Sequence, residues 1–329
     1  MFFSKLLVWF LSAFGCSSRL SNDVNIAVHN DDILQVCQNA GALTFAKYAR
    51  SIPWVNQTLG NLSSTGYMAL APTDRAFDRL PKAVKIALRD PQVLEWYLRY
   101  HIGLSEVYTK EINNNLRIPS AFRPPGKMED LPEPVLTIRF NVYDVEYDEK
   151  ANLTNRFGKT VTATGAPIIH PDLQASNGIV HIIDKVMFPI PMGVNMPDFL
   201  KKDPRFSLLF SFLTKANLTG ALATDPSKPL TIFAPNDAAF KKLPKAVVAK
   251  LANVTFLQEV LEYHVVNAAL YAAGLYDNQK LAPLAGGTIL VLIGPGGVFV
   301  DNEQVIQTDT TVVNGVIHEV SGVLIPPAK

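Results

Sequence analysis

Between Tyr67 and Tyr100 the apolar positions change period. "YMALAP" (67–72) is a short continuous apolar run closed by a proline, which reads as a buried strand that cannot extend its ladder. Thr73 then stands where a helix needs an N-cap, and a short helical turn ends before Pro81. Lys82 to Arg89 and Pro91 to Tyr100 read as two helices separated by Asp90-Pro91, with Asp90 as cap and Pro91 at the first helical position. Leu94, Tyr97, Leu98 and His101 recur at i, i+3, i+4 and i+7, one face of the second helix. Beyond Val135 the period falls to two. Leu136, Ile138, Phe140 and Val142 alternate with Thr137, Arg139 and Asn141, the pattern of a half-buried strand whose polar side faces water.

The same succession occurs again. "LTIFAP" (230–235) repeats the first strand, Asn236 the cap, and Asn253 the place of Asp90. Residues 71–84 and 234–247 agree at ten of fourteen positions, an offset of 163 that "LRYHI" (98–102) and "LEYHV" (261–265) share. "NGIVHIIDKVMFPIP" (177–191) and "NGVIHEVSGVLIPP" (314–327) match at an offset of 137. In both, an Asn-Gly turn leads into an apolar strand closed by proline. "TILVLIGPGGVFV" (288–300) is a hairpin with Gly294 to Gly297 at its turn. Helices first and strands afterwards, written twice, predict two tandem α+β domains, 28–191 and 192–327.

Repeat 1 carries 26 extra residues between His101 and Asn177. They fall in a Pro-rich stretch at about 119–134 and in a lengthened hairpin at about 143–158. Pro119, Pro124, Pro125, Pro132 and Pro134 predict an extended loop without regular structure. It reads either as plain surface or as a partner-facing or interdomain contact, the second because it includes Phe122 and is followed by Tyr143.

The first residues are of a different kind. Lys5, an apolar run from Leu6 to Phe14 and the small residues Gly15 to Ser18 have the layout of a secretory signal peptide, assigned to 1–18. Nine apolar-rich residues are too few to span a bilayer. The terminal "SGVLIPPAK" has no apolar tail, so no membrane span or GPI signal is expected there. Five N-x-S/T sequons occur, at Asn56, Asn61, Asn152, Asn217 and Asn253, where 21 Asn and 34 Ser plus Thr give about two by chance. Together these predict a secreted glycoprotein. A formal charge of +1 with 18% charged residues excludes the footprint of a nucleic-acid or anionic-membrane binder. Of the two cysteines, Cys37 reads as a buried helical thiol or as a partner for Cys16 if the leader is retained.

Four of six histidines are paired between repeats, His101 with His264 and His181 with His318. Recurrence in both copies favours scaffold roles: carbonyl bonding at a helix C-terminus for the first pair, burial in a strand for the second. No nucleophile elbow, zinc helix or nucleotide loop is present, and neither a metal nor a cofactor is expected. Asp144, Glu146, Asp148 and Glu149 read as a solvated hairpin face, with a weak cation site as the alternative.

The three ordered anchors resemble the fasciclin (FAS1) family. "TIFAPNDAAF" is similar to its first characteristic segment, "NGVIHEVSGVLIPP" to its second, and Tyr-His lies between them. The resemblance covers 28–191 and 192–327 and implies a β-wedge of two sheets with packed helices. It also implies a non-catalytic role in cell adhesion or extracellular matrix, and an adhesion-linked Tyr-His at Tyr100, His101, Tyr263 and His264. Partners would then be cell-surface, cell-wall or matrix components, with carbohydrate or a second copy as candidate chemistries. With two repeats, sequons, no Pro/Ser/Thr stalk and no Arg-Gly-Asp, the chain is similar to fungal fasciclin-like members. The alternative function is a binding module for a small apolar or carbohydrate ligand held between the domains.

Overall fold

Proline placement and helix capping set the element boundaries in both repeats. The computed structural model describes residues 31–123, 136–144, 159–189 and 194–327. The expected signal peptide, Asn152, Glu146 to Glu149, and most of both insertions lie outside the described residues.

Repeat 1 begins with α1 (Ile33–Asn39), α2 (Leu43–Ser51) and α3 (Pro53–Leu59), followed by β1 (Tyr67–Pro72). Then come α4 (Asp74–Asp78), α5 (Lys82–Ala87) and α6 (Pro91–Tyr100). The strands β2 (Ile102–Gly103), β3 (Arg117–Pro119), β4 (Thr137–Asp144), β5 (Lys159–Ala163), β6 (Ala166–Ala175) and β7 (Gly178–Ile183) complete it. Repeat 2 starts with α7 (Met196–Lys202), α8 (Ser207–Lys215) and β8 (Leu230–Pro235). Next are α9 (Asp237–Lys241), α10 (Lys245–Lys250) and α11 (Val254–Tyr263). Its strands continue with β9 (Val265–Val266), β10 (Lys280–Leu281), β11 (Ile289–Gly294), β12 (Gly297–Val300), β13 (Glu303–Val312) and β14 (Gly315–Val320).

The caps fall where the sequence places them. Thr73 and Asn236 side chains accept from Ala76 N and Ala239 N, and Asp90 and Asn253 each accept from two backbone N–H groups. Cys37 is a free, fully buried thiol on α1, and burial pushes its pKa upward. The Asn-Gly turns do more than reverse the chain. Asn177 accepts from Ile33 N and donates to Leu59 O, while Asn314 accepts from Met196 N and donates to Leu222 O. Each buried amide thereby ties the first helix of its repeat to the end of the sheet.

Each repeat has one hydrogen-bonded strand order, β2-β1-β7-β6-β5-β4-β3 and β10-β11-β12-β13-β14-β8-β9. The two sheets of the expected wedge are the halves of this continuous order. Their junction is a long bulged strand: β6 pairs with β5 through Ala166 and Pro167, then with β7 through Ile168 to Ala175, with two register breaks. β13 repeats this arrangement between β12 and β14. Extra residues bend a strand and let one ladder turn over a core. The strand β1, second from the edge, lies parallel to β7 and is buried on both faces. Ala69 and Ala71 meet the helices, while Met68 and Leu70 enter a second core inside the folded sheet.

Two expectations change. Pro119 belongs to β3, antiparallel to β4, and Phe122 packs edge-on against Tyr100 with ring centroids 6.3 Å apart. The described part of the insertion therefore starts in an edge strand, which tolerates a proline that a central one does not, and buries Ser120, Ala121 and Phe122. In β4, Arg139 and Asn141 are buried like their apolar neighbours. Instead of meeting water, Arg139 reaches Val313 of the second repeat and Asn141 bonds to Asn114 and Asn115 of its own.

Candidate functional site: the Tyr-His stations, the docked face and the interdomain cleft

The helices α6 and α11 each end in Tyr-His, and the sheet receives both side chains. His101 Nδ1 is 2.7 Å from Tyr97 O, and its Nε2 accepts from Met187 N at 2.9 Å. His264 repeats this with Val260 O at 2.7 Å and Leu324 N at 2.9 Å. A nitrogen that accepts from an amide carries no proton, so Nδ1–H is the donor and both rings are neutral. Burial lowers both pKa values to about 4, against the opposing effect of the carbonyl bond.

The strand histidines use the other tautomer. His181 Nδ1 accepts from Asp172 N and Nε2 donates to Val107 O. His318 Nδ1 accepts from Asp309 N and Nε2 donates to Leu270 O. Burial again pushes both downward. All four repeat-paired histidines thus staple backbone segments.

Tyr100 and Tyr263 are fully buried. Tyr100 Oη donates to Thr137 O at 3.2 Å and lies 3.4 Å from Thr164 Oγ1. Tyr263 Oη lies 2.8 Å from Thr288 O and 2.9 Å from Asp301 Oδ2. Burial raises the pKa of both phenols. The four expected motif residues therefore come together as two Tyr-His stations, one inside each repeat. Tyr100, His101 and His264 are enclosed, and Tyr263, though 1% exposed, borders a recess of about 300 Å³.

Both repeats lie in a single compact unit, and one face of β4 makes the junction. Tyr143 Oη donates to Ala269 O and accepts from Tyr271 N, each at 3.0 Å. Arg139 Nη2 donates to Val313 O at 2.6 Å, while Nε and Nη1 are buried without a protein partner. Lys185 Nζ meets Asp309 Oδ2 at 2.6 Å. The tyrosines are exchanged reciprocally: Tyr143 lies on Gly274 of repeat 2, and Tyr271 on Gly165 of repeat 1. A Cβ at Gly274 would stand 2.5 Å from Tyr143 Cδ1, and one at Gly165 would meet Tyr271 closer still. Both places need glycine for close approach, and Gly165 also has φ +78 in a two-residue hairpin turn.

Beside this lock a cleft of about 490 Å³ opens between the repeats. Arg79, Asp184, Lys185 and Phe188 of repeat 1 and Leu275 and Asp309 of repeat 2 contribute to it. Sequence reasoning singled out Tyr143 but missed Arg139, Gly165, Tyr271 and Gly274. Alignment of the repeats marks three of them, since Arg139 stands where repeat 2 has Leu290, Gly165 where it has Asn302 and Gly274 where repeat 1 has Glu111, whereas Tyr271 matches Tyr108. The four described sequon asparagines, Asn56, Asn61, Asn217 and Asn253, are all exposed. Among the described residues no cluster of three or more His, Cys, Asp or Glu could hold a metal. No described helix is long and apolar enough to cross a membrane.

Human periostin is 27% identical over 290 residues, 87% of this chain and 31% of periostin. Pig transforming growth factor-beta-induced protein ig-h3 is 35% identical over 159 residues, 48% of this chain and 23% of that protein. The chain thus spans a third or less of the length of these curated relatives. A solved FAS1 domain pair from the insect cell adhesion molecule fasciclin I is 21% identical, with a TM-score of 0.40 over 87% of this chain and 98% of that one. The fasciclin domain model matches residues 41–189 and 204–326, one segment in each repeat. With those two matches over most of its length, the chain belongs to the fasciclin domain family.

Proposed function

We propose that this is a secreted, N-glycosylated, non-catalytic adhesion protein that contacts cell-surface, cell-wall or matrix components through a rigid pair of domains, 28–191 and 192–327. The observation that carries this reading is the lock between the repeats. Tyr143 on Gly274 and Tyr271 on Gly165 fix two modules in one geometry, which suits simultaneous contact with an extended partner. The state of the paired histidines favours a non-catalytic role, since each spends both ring nitrogens on backbone groups. Tyr100, His101, Tyr263 and His264 then act as positioning residues that shape the surface above them. Asn253 caps α11 through Oδ1, which leaves its exposed Nδ2 for a glycan.

The test is attachment of cells and wall fragments to surfaces coated with the whole secreted chain, with endoglycosidase digestion of the same material. Attachment above an albumin-coated control and a faster-migrating band after digestion are expected. Folded protein that holds no cells or wall material would overturn the adhesive role. Unchanged mobility would overturn glycosylation, and a turnover activity that survives repurification would overturn the non-catalytic reading.

A further inference from the structure

The interdomain cleft has a lining that selects one chemistry. Its volume of about 490 Å³ lies within the range of small-ligand sites. The cations on its walls are each matched by a carboxylate: Arg79 Nη1 lies 3.1 Å from Asp184 Oδ2, and Lys185 Nζ 2.6 Å from Asp309 Oδ2. The lining is therefore neutral as a whole. With no net charge, the lining gives an anion or a cation no net Coulombic attraction to offset the loss of its hydration.

A neutral hydroxylated molecule needs none. Arg79 and Lys185 side chains are 47% and 41% exposed, so N–H groups outside the pairs remain able to donate. Asp184, one third exposed, retains lone pairs that accept from hydroxyls. The rest of the lining is largely apolar, with Leu80, Val186, Leu275 and Ile293 among its residues. Phe188 also belongs to it, is 40% exposed, and is held edge-on by Tyr97 at 5.5 Å. An exposed aromatic ring beside paired charges is a platform for a molecule with one C–H face and a hydroxylated edge.

We infer that the cleft between the repeats is a binding site for a neutral oligosaccharide, with Phe188 under a sugar ring and Arg79, Asp184 and Lys185 hydrogen-bonded to its hydroxyls. Both repeats build the site, and the tyrosine lock holds its walls apart at a fixed distance. This goes beyond the adhesive reading and does not rest on it, since binding is measured on the isolated chain in solution.

Saturation-transfer NMR and calorimetry on the enzymatically deglycosylated full chain test it. The probes are β-1,3-glucan, β-1,4-glucan and chitin hexasaccharides, with a heparin hexasaccharide as the anionic contrast. At least one neutral probe is expected to bind with a Kd below about 1 mM. Phe188→Ala should weaken that binding about tenfold or more, and Ala273→Trp, which fills the cleft, should abolish it. Arg79→Met supplies an independent surface variant should either of the others lower the melting temperature. Absence of transfer to every neutral probe overturns the inference. So does binding that all correctly folded variants retain, or a heparin fragment that binds more tightly than the neutral ones.

Discussion

In repeat 1, β4 and the turn after β5 present Arg139, Tyr143 and Gly165 to repeat 2, while Asn141 between them bonds to Asn114 and Asn115 of its own repeat. The equivalent positions in repeat 2 are Leu290, Leu292, Gly294 and Asn302. The correspondence is fixed by the tyrosine stations, since Thr137 and Thr288 both receive the phenol, and Thr164 and Asp301 both flank it at φ 46. The first face is buried. Among the described residues nothing covers the second in this way, and a recess of about 300 Å³ runs over Leu290, Leu292 and Asn302. One fold therefore carries a docking face twice and uses it once.

The residues explain why the docking does not propagate. A second copy would have to bring Tyr108 onto Asn302, as Tyr271 lies on Gly165, but Asn302 has the Cβ that Gly165 lacks. Glu111 stands where Gly274 accepts Tyr143, and Gly294 stands where Tyr143 itself would be. Three of the four members of the reciprocal lock are thus missing from the equivalent positions, and Tyr108 alone matches its counterpart. A second copy of the chain therefore cannot join by this geometry.

Tyr143→Ala should cost on the order of 3–5 kcal/mol, because it removes a buried aromatic and both of its interdomain hydrogen bonds. The expected readout is a single calorimetric transition in the parent that separates into two in the variant. A single unshifted transition would show that the lock does not couple the repeats.

Acid should act on both repeats alike. His101 and His264 have folded pKa values lowered to about 4 from an ordinary 6.5, so between these values the unfolded chain binds more protons. The neutral rings contribute fully above pH 6.5, and stability falls as pH drops from 6.5 towards 4, by about 3 kcal/mol per histidine at the lower end. NMR titration should show both rings unprotonated at pH 5.5. Protonation of one ring alone near pH 6.5 would mean that its station is open.

The stations themselves should differ. Tyr263→Phe removes a bond to a carboxylate and should cost about 1.5–3 kcal/mol, whereas Tyr100→Phe loses only neutral partners and should cost about 1 kcal/mol. Denaturant midpoints of the two variants check the order, and equal losses would mean that Asp301 adds nothing. Least affected should be Leu292→Asn, which copies Asn141 onto the free face and should stay within about 0.5 kcal/mol of the parent. A larger loss in thermal melts would show that this face is covered in solution.

Much of this is legible in the sequence. Caps at Thr73, Asp90, Asn236 and Asn253 are local: a side-chain oxygen reaches an amide two or three residues away, so the sequence neighbourhood contains the whole interaction. The strand β1 was equally legible, since an unbroken apolar run states that both faces are buried. The alternation in β4 misled because period two reports which side chains share a face, not what covers that face. Arg139 looks like a solvent residue until Val313 arrives from 174 positions away, and Asn141 until Asn114 and Asn115 close over it.

The sequence alone determined two copies of one α+β unit, their order, their caps and the Tyr-His that ends the third helix after each β1-type strand. Those features rest on contacts within a few residues or on a pattern repeated at a fixed offset. Only the tertiary structure decided that the four histidines are neutral staples, that Tyr143 and Tyr271 trade places across glycines, and that a neutral cleft lies beside them. Each of these depends on which distant backbone atom comes within 3 Å of a side chain. Periodicity carries no record of that distance.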